Sequence, residues 1–294
     1  MREVLIISGK GGTGKTSLAA AFAHLAGDKV ICDLDVDAPD LHLSLKPTHQ
    51  RVEEYFSGNM AVIDSTRCEQ CGICLEMCRY GAISRMDDAF QVDRLKCEGC
   101  KVCVHFCPAE AIDFPQKHCG QWFISDTRFG PMVHAQLFPG QENSGRLVAL
   151  LKQQARELAQ VESRNLILCD GAPGIGCPVI SSLSGTDLVV AVTEPTPSGR
   201  HDLERVVELC AHFKLPVGVV INKFDLNSRE TSSIEDFCLE QGLHLLPQLP
   251  HDTAMTEAMV RGQAITEYQS DGLAKLVRRI WDEIMDMAGI NRTA

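Results

Sequence analysis

The stretch REVLIISGKGGTGKTSLAAAFAHLA (2–26) constrains the fold more than any other part of the chain. REVLIIS (2–8) is a short apolar run closed by glycine and reads as a buried strand. Thr16 to Ala26 is rich in Ala and Leu and reads as a helix. GKGGTGKT (9–16) joins them and fits G-x-x-x-x-G-K-[ST]. In that setting the loop N–H groups and the helix N-terminus cradle phosphates. Lys15 would reach the β- and γ-phosphates, and the Thr16 hydroxyl would bind Mg²⁺. Gly11, Gly12, Thr13, Gly14, Lys15, Thr16 and Ser17 are the candidate nucleotide-binding residues.

KVICDLD (29–35) follows as a second strand, which completes a βαβ unit and predicts a parallel sheet. The same grammar returns after about residue 120. Residues 146–161 have helical apolar spacing, NLILCD (165–170) and DLVVAV (187–192) read as strands, and 199–213 as a helix. VGVVIN (217–222) is a further strand. Residues 228–242 form a helix capped by Ser or Asn at one end and Gly242 at the other. The expected fold class is α/β, a doubly wound, mostly parallel sheet.

Residues 61–114 break this rhythm. CEQCGICLEMCRYGAI starts at Cys68 and CEGCKVCVHFCPAEAI at Cys97, an internal repeat of about thirty residues with cysteines spaced C-x2-C-x2-C-x3-C. The domains expected are a discontinuous nucleotide-binding domain, 1–60 and 115–294, and a small insert, 61–114. Fourteen cysteines, eight of them at ligand spacing, with no export signal, argue against a disulfide framework. Zinc usually asks for two C-x2-C pairs, a different pattern.

The repeat resembles bacterial two-cluster ferredoxins, in which three cysteines of each run and the fourth of the other hold a [4Fe–4S] cluster. The resemblance implies an α+β ferredoxin-like insert. Cys68, Cys71, Cys74 and Cys107 would hold one cluster, and Cys97, Cys100, Cys103 and Cys78 the other. Pro108 follows Cys107 as in that family, whereas Arg79 stands after Cys78, where a cation would raise a cluster's potential.

Lys10 adds a second resemblance. KGGTGKT looks like the deviant phosphate loop of the MinD/Mrp/ParA ATPases, which include nitrogenase iron-protein and cobyrinic acid synthase-type nucleotide-binding domains of the SIMIBI class. There the early lysine reaches across a nucleotide-sandwich dimer, so Lys10 would act in trans. DLDVDAPD (33–40) resembles that family's switch I. Asp35 would orient the attacking water and support Mg²⁺, with Asp33 and Asp37 as neighbours able to support the metal or substitute. DGAPGIG (170–176) resembles Walker B and switch II. Asp170 would hold Mg²⁺ through water, and Gly171 and Gly174 would let the loop move with the γ-phosphate. INKFDLN (221–227) contains N-K-x-D, in which Asp225 would pair with guanine in a GTPase or only cap the turn. The early lysine favours ATP, with Asn222 near the base.

The formal charge of −11 argues against nucleic acid as the main partner. The apolar runs are too short for a membrane span, and Met1 leads straight into a strand, so a cytoplasmic protein is expected. Residues 273–285 are amphipathic; MinD uses such a helix on membranes, but the acidic residues here favour core packing. Cys32, Cys169, Cys210 and Cys238 read as small buried hydrophobes. Cys177, just past switch II, and Cys119 are candidates for an extra ligand. His134 has no assigned role, and NSGR (143–146) reads as a helix cap. The resemblance implies ATP, Mg²⁺ and two [4Fe–4S] clusters, a homodimer or a heterodimer with a similar ATPase, an anaerobic setting, and a redox partner or metal-cofactor client. Three functions follow: ATP-coupled electron transfer, an assembly or carrier factor for a metal cofactor, and a MinD-like positioning switch with a redox-sensing insert.

Overall fold

The computed structural model describes residues 1–87, 89–140 and 144–290. Two compact units divide the chain. The first comprises Met1–Glu53, Trp122–Gln136 and Ser144–Ala294; the second comprises Glu54–Gln121 and Leu137–Asn143.

The first unit opens with β1 (Arg2–Ser8), α1 (Lys15–Leu25), β2 (Lys29–Asp33) and the short α2 (Leu41–Leu45). β3 (Thr48–Asn59) carries the chain into the second unit, and β8 (Gln116–Thr127) returns it. That second unit holds β4 (Val62–Ile63), α3 (Ile73–Met77), β5 (Ile83–Met86), β6 (Ala89–Val92), α4 (Val102–His105) and β7 (Ile112–Asp113). After β8 come β9 (Gly130–Leu137), α5 (Ser144–Val161), β10 (Leu166–Pro173), α6 (Cys177–Leu183), β11 (Leu188–Thr193) and α7 (Pro197–His212). The chain closes with β12 (Val217–Ile221), α8 (Ser228–Glu240), β13 (His244–Leu245), α9 (Thr253–Val260), α10 (Ile265–Tyr268) and α11 (Leu273–Met287).

The main sheet runs β13-β12-β11-β1-β10-β2-β9-β8-β3. β1 pairs in parallel with both β10 and β11, and β2 pairs in parallel with β10 and β9. Val4 to Ile7 are fully buried, as expected of a central strand covered on both faces. β8 and β9 are joined by only two residues and form a hairpin, which gives the sheet a mixed edge. This long β3-β8-β9 end is absent from the sequence reading. β3 is an edge strand with most side chains in solvent, so it carries no apolar alternation to reveal it.

α1 fits beneath the sheet because Leu18 to Ala23 are small or apolar and buried. α11 covers it, with Trp281 stacked on Phe22 at 5.3 Å. Its face of Leu273, Val277, Ile280, Trp281 and Ile284 is buried in this core. Among the described residues, no helix is long and apolar enough to cross a membrane. α8 starts at Asn227, whose side chain accepts the Glu230 N–H, and Gly242 follows it with φ 63°. α5 begins at Ser144. The cap expected at Asn143 lies outside the described residues.

In the second unit β4 pairs antiparallel with β7, and β5 with β6. Its core is small: Ala61, Cys74, Ile83, Phe90 and Ile112, with five more cysteines packed around it. This unit is wider than 61–114 because β3 and β8 continue unbroken through 54–59 and 116–121.

Candidate functional site

Parallel pairing sets Asp33 of β2 beside Asp170 of β10 as direct partners. Lys15, at the first turn of α1, points its ammonium between the strand ends. Its Nζ is 2.5 Å from Asp170 Oδ1 and 3.7 Å from Asp35 Oδ2, with only 6% of its side chain exposed. Burial pulls the ammonium down, but Asp170, Asp35 and Asp33 outweigh it, and the Lys15 pKa lies above its ordinary value. Burial and the neighbouring Asp170 push Asp33 well above the usual carboxylate range. Burial also raises Asp35, to about 6, against the opposing pull of Lys15.

Two buried carboxylate oxygens here, Asp33 Oδ2 and Asp170 Oδ2, have no hydrogen-bond partner. Unpaired acidic oxygens at adjacent strand ends, near the Thr16 hydroxyl, fit a hard divalent cation such as Mg²⁺. Asp33, expected from the sequence as a neighbour able to support the metal, is as well placed for it as Asp35. Asp37 is exposed.

The phosphate loop borders a cleft of about 410 Å³, whose walls include Gly11 to Ser17, Asp35, Asn222 and Lys223. Gly12 and Gly14 take φ of 82° and 92°, so the loop needs glycine there. Asn222 supports it from the end of β12. Its Nδ2 donates to the Thr13 carbonyl at 2.8 Å and lies 2.5 Å from where a Gly14 Cβ would be. Lys223 donates to the Gly12 carbonyl. Asp225 accepts the His251 N–H at 2.6 Å, a bond to a distant loop and not a cap on its own turn, and it does not line the cleft. The far wall, Pro250, His251, Asp252, Met255, Thr256 and Met259, is missing from the sequence reading. Its one local signal is Asp252, which caps α9 by accepting the Ala254 N–H.

Lys10 does not line this cleft. Its Nζ pairs with Glu194 Oε1 at 2.8 Å and donates to the Thr196 and Ser198 hydroxyls. Glu194 also holds Lys223 at 3.1 Å. Glu194 sits in TEPTPSGRHDLE without any distinguishing spacing, so its double pairing was not legible beforehand. A trans role for Lys10 requires it to leave these contacts.

Gly174 has φ 90° and open space around it, as a mobile turn demands. Gly171, the other glycine expected to move, is closely packed. It lies inside β10, where a Cβ would come within 2.7 Å of Ile7 and 3.0 Å of Leu5. Close packing on β1, not motion, requires glycine there.

In the second unit the eight repeat cysteines gather into two groups. Cys68, Cys71, Cys74 and Cys107 line one small pocket with Ile63, Ile73, Phe90 and Ile112. Cys78, Cys97, Cys100 and Cys103 line another with Ala61, Ile83, Val92 and Phe114. Each group takes three cysteines from one run and the fourth from the other. Cys68, Cys71 and Cys107 all lie within electrostatic reach of Cys74, whose thiol burial pushes up. The backbone repeats as well: Gln70, Gly72 and Gly81 have positive φ, as do their mates Gly99, Lys101 and Glu110. Such residues turn N–H groups towards a common concavity. The Ala82 and Ala111 N–H groups donate to Cys78 Sγ and Cys107 Sγ, at 3.4 and 3.3 Å. Gly99 is required because a Cβ would lie 2.4 Å from the Asn59 carbonyl oxygen. Arg67 ties the ends together through Asp64, Asp113 and the Glu110 carbonyl.

Among the described residues, no three His, Cys, Asp or Glu side chains stand close enough to share one metal ion. A four-iron cube is wider than an ion and holds its ligands further apart. Cys119 is buried in β8, its thiol bonded to the Ser57 and Lys117 carbonyls. Cys177 is exposed at the start of α6. Cys32, Cys169, Cys210 and Cys238 are buried, and burial pushes the Cys210 thiol up to about 12. His134 is also buried, held by Ser125 and pushed down to about 4.

A family profile described as the CobQ/CobB/MinD/ParA nucleotide binding domain matches residues 4–265. The chain is 31% identical over 229 residues to the uncharacterized protein MJ0578 of Methanocaldococcus jannaschii, covering 77% of this chain and 79% of that one. It is similar in fold to the cell division ATPase MinD of Pyrococcus furiosus, with a TM-score of 0.59 and 19% identity, over 97% of this chain and 99% of that chain. The septum site-determining protein MinD of Pyrococcus horikoshii, solved with Mg-ADP, gives 0.59 at 17% identity, over 98% of this chain and 97% of that chain. At these identities the likeness to the solved structures is one of fold.

Proposed function

The chain belongs to the CobQ/CobB/MinD/ParA nucleotide-binding family, and from that premise we propose that it is an ATP-dependent assembly or carrier factor that serves a metal-cofactor client through its cysteine insert. It is a P-loop ATPase of the MinD/ParA/CobQ type and binds ATP with Mg²⁺. The observation that carries the proposal is the gathering of eight cysteines into two groups of four within a chain whose other unit is this ATPase.

In the nucleotide site the phosphates compete with Asp170 for the Lys15 ammonium, and the loop N–H groups of 11–17 hold them. Asp33, Asp170 and Thr16 would hold Mg²⁺, with Asp35 beside them. Asp35, ionised above about pH 6, orients the attacking water. Two protomers meet across the nucleotide, Lys10 exchanging Glu194 for the partner's phosphates. Gly174 lets the loop after β10 follow the γ-phosphate.

The cysteine groups fit [4Fe–4S] clusters. Each offers four thiols around an apolar pocket and a backbone N–H bond to the sulfur of the fourth. A cluster bound there supplies iron and sulfide for transfer, or one electron at a time. Cys71 and Cys100 are the exposed member of each group, where a client thiolate could exchange. The partners are therefore a second copy or a similar ATPase, and a client protein, in the cytoplasm.

The test is anaerobic transfer of labelled iron from the loaded chain to an apo-ferredoxin. ATP should stimulate transfer, and Lys15→Gln should lower the ATP-dependent part at least ~100-fold, the usual effect of losing one charge-stabilising donor. Clusters that remain unchanged through many ATP turnovers would refute the carrier. The paired pockets favour a second reading, ATP-gated electron delivery. It predicts unchanged clusters and ATP-dependent reduction of an artificial acceptor.

A further inference from the structure

The two cysteine groups share a backbone but not a charge. Among the charged side chains, Glu69 lines the first pocket, whereas Glu98 and Lys101 line the second. Glu69 and Glu98 are mates in the repeat and balance each other. Lys101 has no charged counterpart: its mate, 29 residues earlier, is Gly72.

Both residues stand at the N-terminal cap of a short helix in the left-handed region, Gly72 at φ 79° and ψ −4°, Lys101 at φ 66° and ψ 3°. Glycine adopts this conformation freely, whereas a residue with a Cβ is strained in it. The Lys101 ammonium lies 5.7 Å from the centre of the Phe114 ring, and Phe114 lines the same pocket. This cation–π contact keeps the charge at the pocket wall. Arg79, directly after Cys78, adds a second cation to the chain around this group.

We propose that Lys101 makes the cluster held by Cys78, Cys97, Cys100 and Cys103 the more readily reduced of the two, so that an electron entering the insert settles there. The proposal rests on the reading of the cysteine groups as cluster sites and goes beyond it in ordering them. Reduction adds one electron from an external low-potential donor and makes the cluster one unit more negative. No cysteine bond is made or broken. A fixed ammonium at the wall stabilises the reduced form, which raises the potential of that cluster alone.

The experiment uses the full chain, loaded anaerobically, with iron counted and a dithionite titration followed by EPR. Two resolved one-electron steps are expected. Lys101→Gln should move the higher step to lower potential and leave the lower step in place, and Lys101→Arg should restore it. Gly72→Lys should raise the lower step. A higher step unmoved by Lys101→Gln, or two steps that move equally, overturns the proposal while the cluster reading stands. A chain that binds no iron overturns both.

Discussion

Lys15 neutralises a crowd of acids. Asp33, Asp35 and Asp170 lie at two adjacent strand ends, and one buried ammonium holds them together. The arrangement leaves a pH signature at Asp35, whose carboxyl burial raises to about 6, above the ~3.9 of an unfolded aspartate. Keeping it ionised in the fold costs stability above pH 6. That cost disappears as pH falls from 6 towards 4 and the folded state takes up its proton first. Asp35→Asn should therefore stabilise the protein by ~1–3 kcal/mol at pH 8 and by little at pH 4, read from urea denaturation. An equal effect at both pH values would show that Asp35 carries no raised pKa. Asn222 makes a separate point at this scale. It touches the phosphate loop itself, so its substitution should weaken nucleotide binding whatever the base.

The elements explain two glycines differently. Gly174 closes a turn, while Gly171 is packed against Ile7 and Leu5 within β10. Gly171→Ala should cost ~1–3 kcal/mol of stability, the usual price of overpacking a filled core. A hinge would instead alter hydrolysis with stability unchanged, and melting curves beside ATPase rates separate the two. α11 is a structural lid on α1. Trp281→Ala removes its stack on Phe22 and should destabilise the fold by ~3–5 kcal/mol in denaturant titration. A loss below 1 kcal/mol would mean that α11 is dispensable to the core. With its apolar face buried, this helix has none left to offer a bilayer.

At the scale of the molecule, the central parallel strands and their helices were legible because strand, glycine turn and helix each impose a local pattern. The pairing of Asp33 with Asp170 was not, since register between β2 and β10 leaves no mark in either segment. Nor was the Lys10–Glu194–Lys223 contact, which joins three separate loops. The edge hairpin escaped for want of apolar alternation, and the far wall of the cleft because Pro250 to Met259 carry no motif. The cysteine spacing was informative, yet it did not show that Lys101 shares a backbone position with Gly72. The unit that holds those cysteines also binds the account together, because a client-serving role needs metal there. The most direct measurement is iron and acid-labile sulfide in the anaerobically purified chain. The account predicts about eight of each per chain, falling towards about four in Cys107→Ala and in Cys78→Ala. Zinc without sulfide, or a chain that binds no metal, would contradict it.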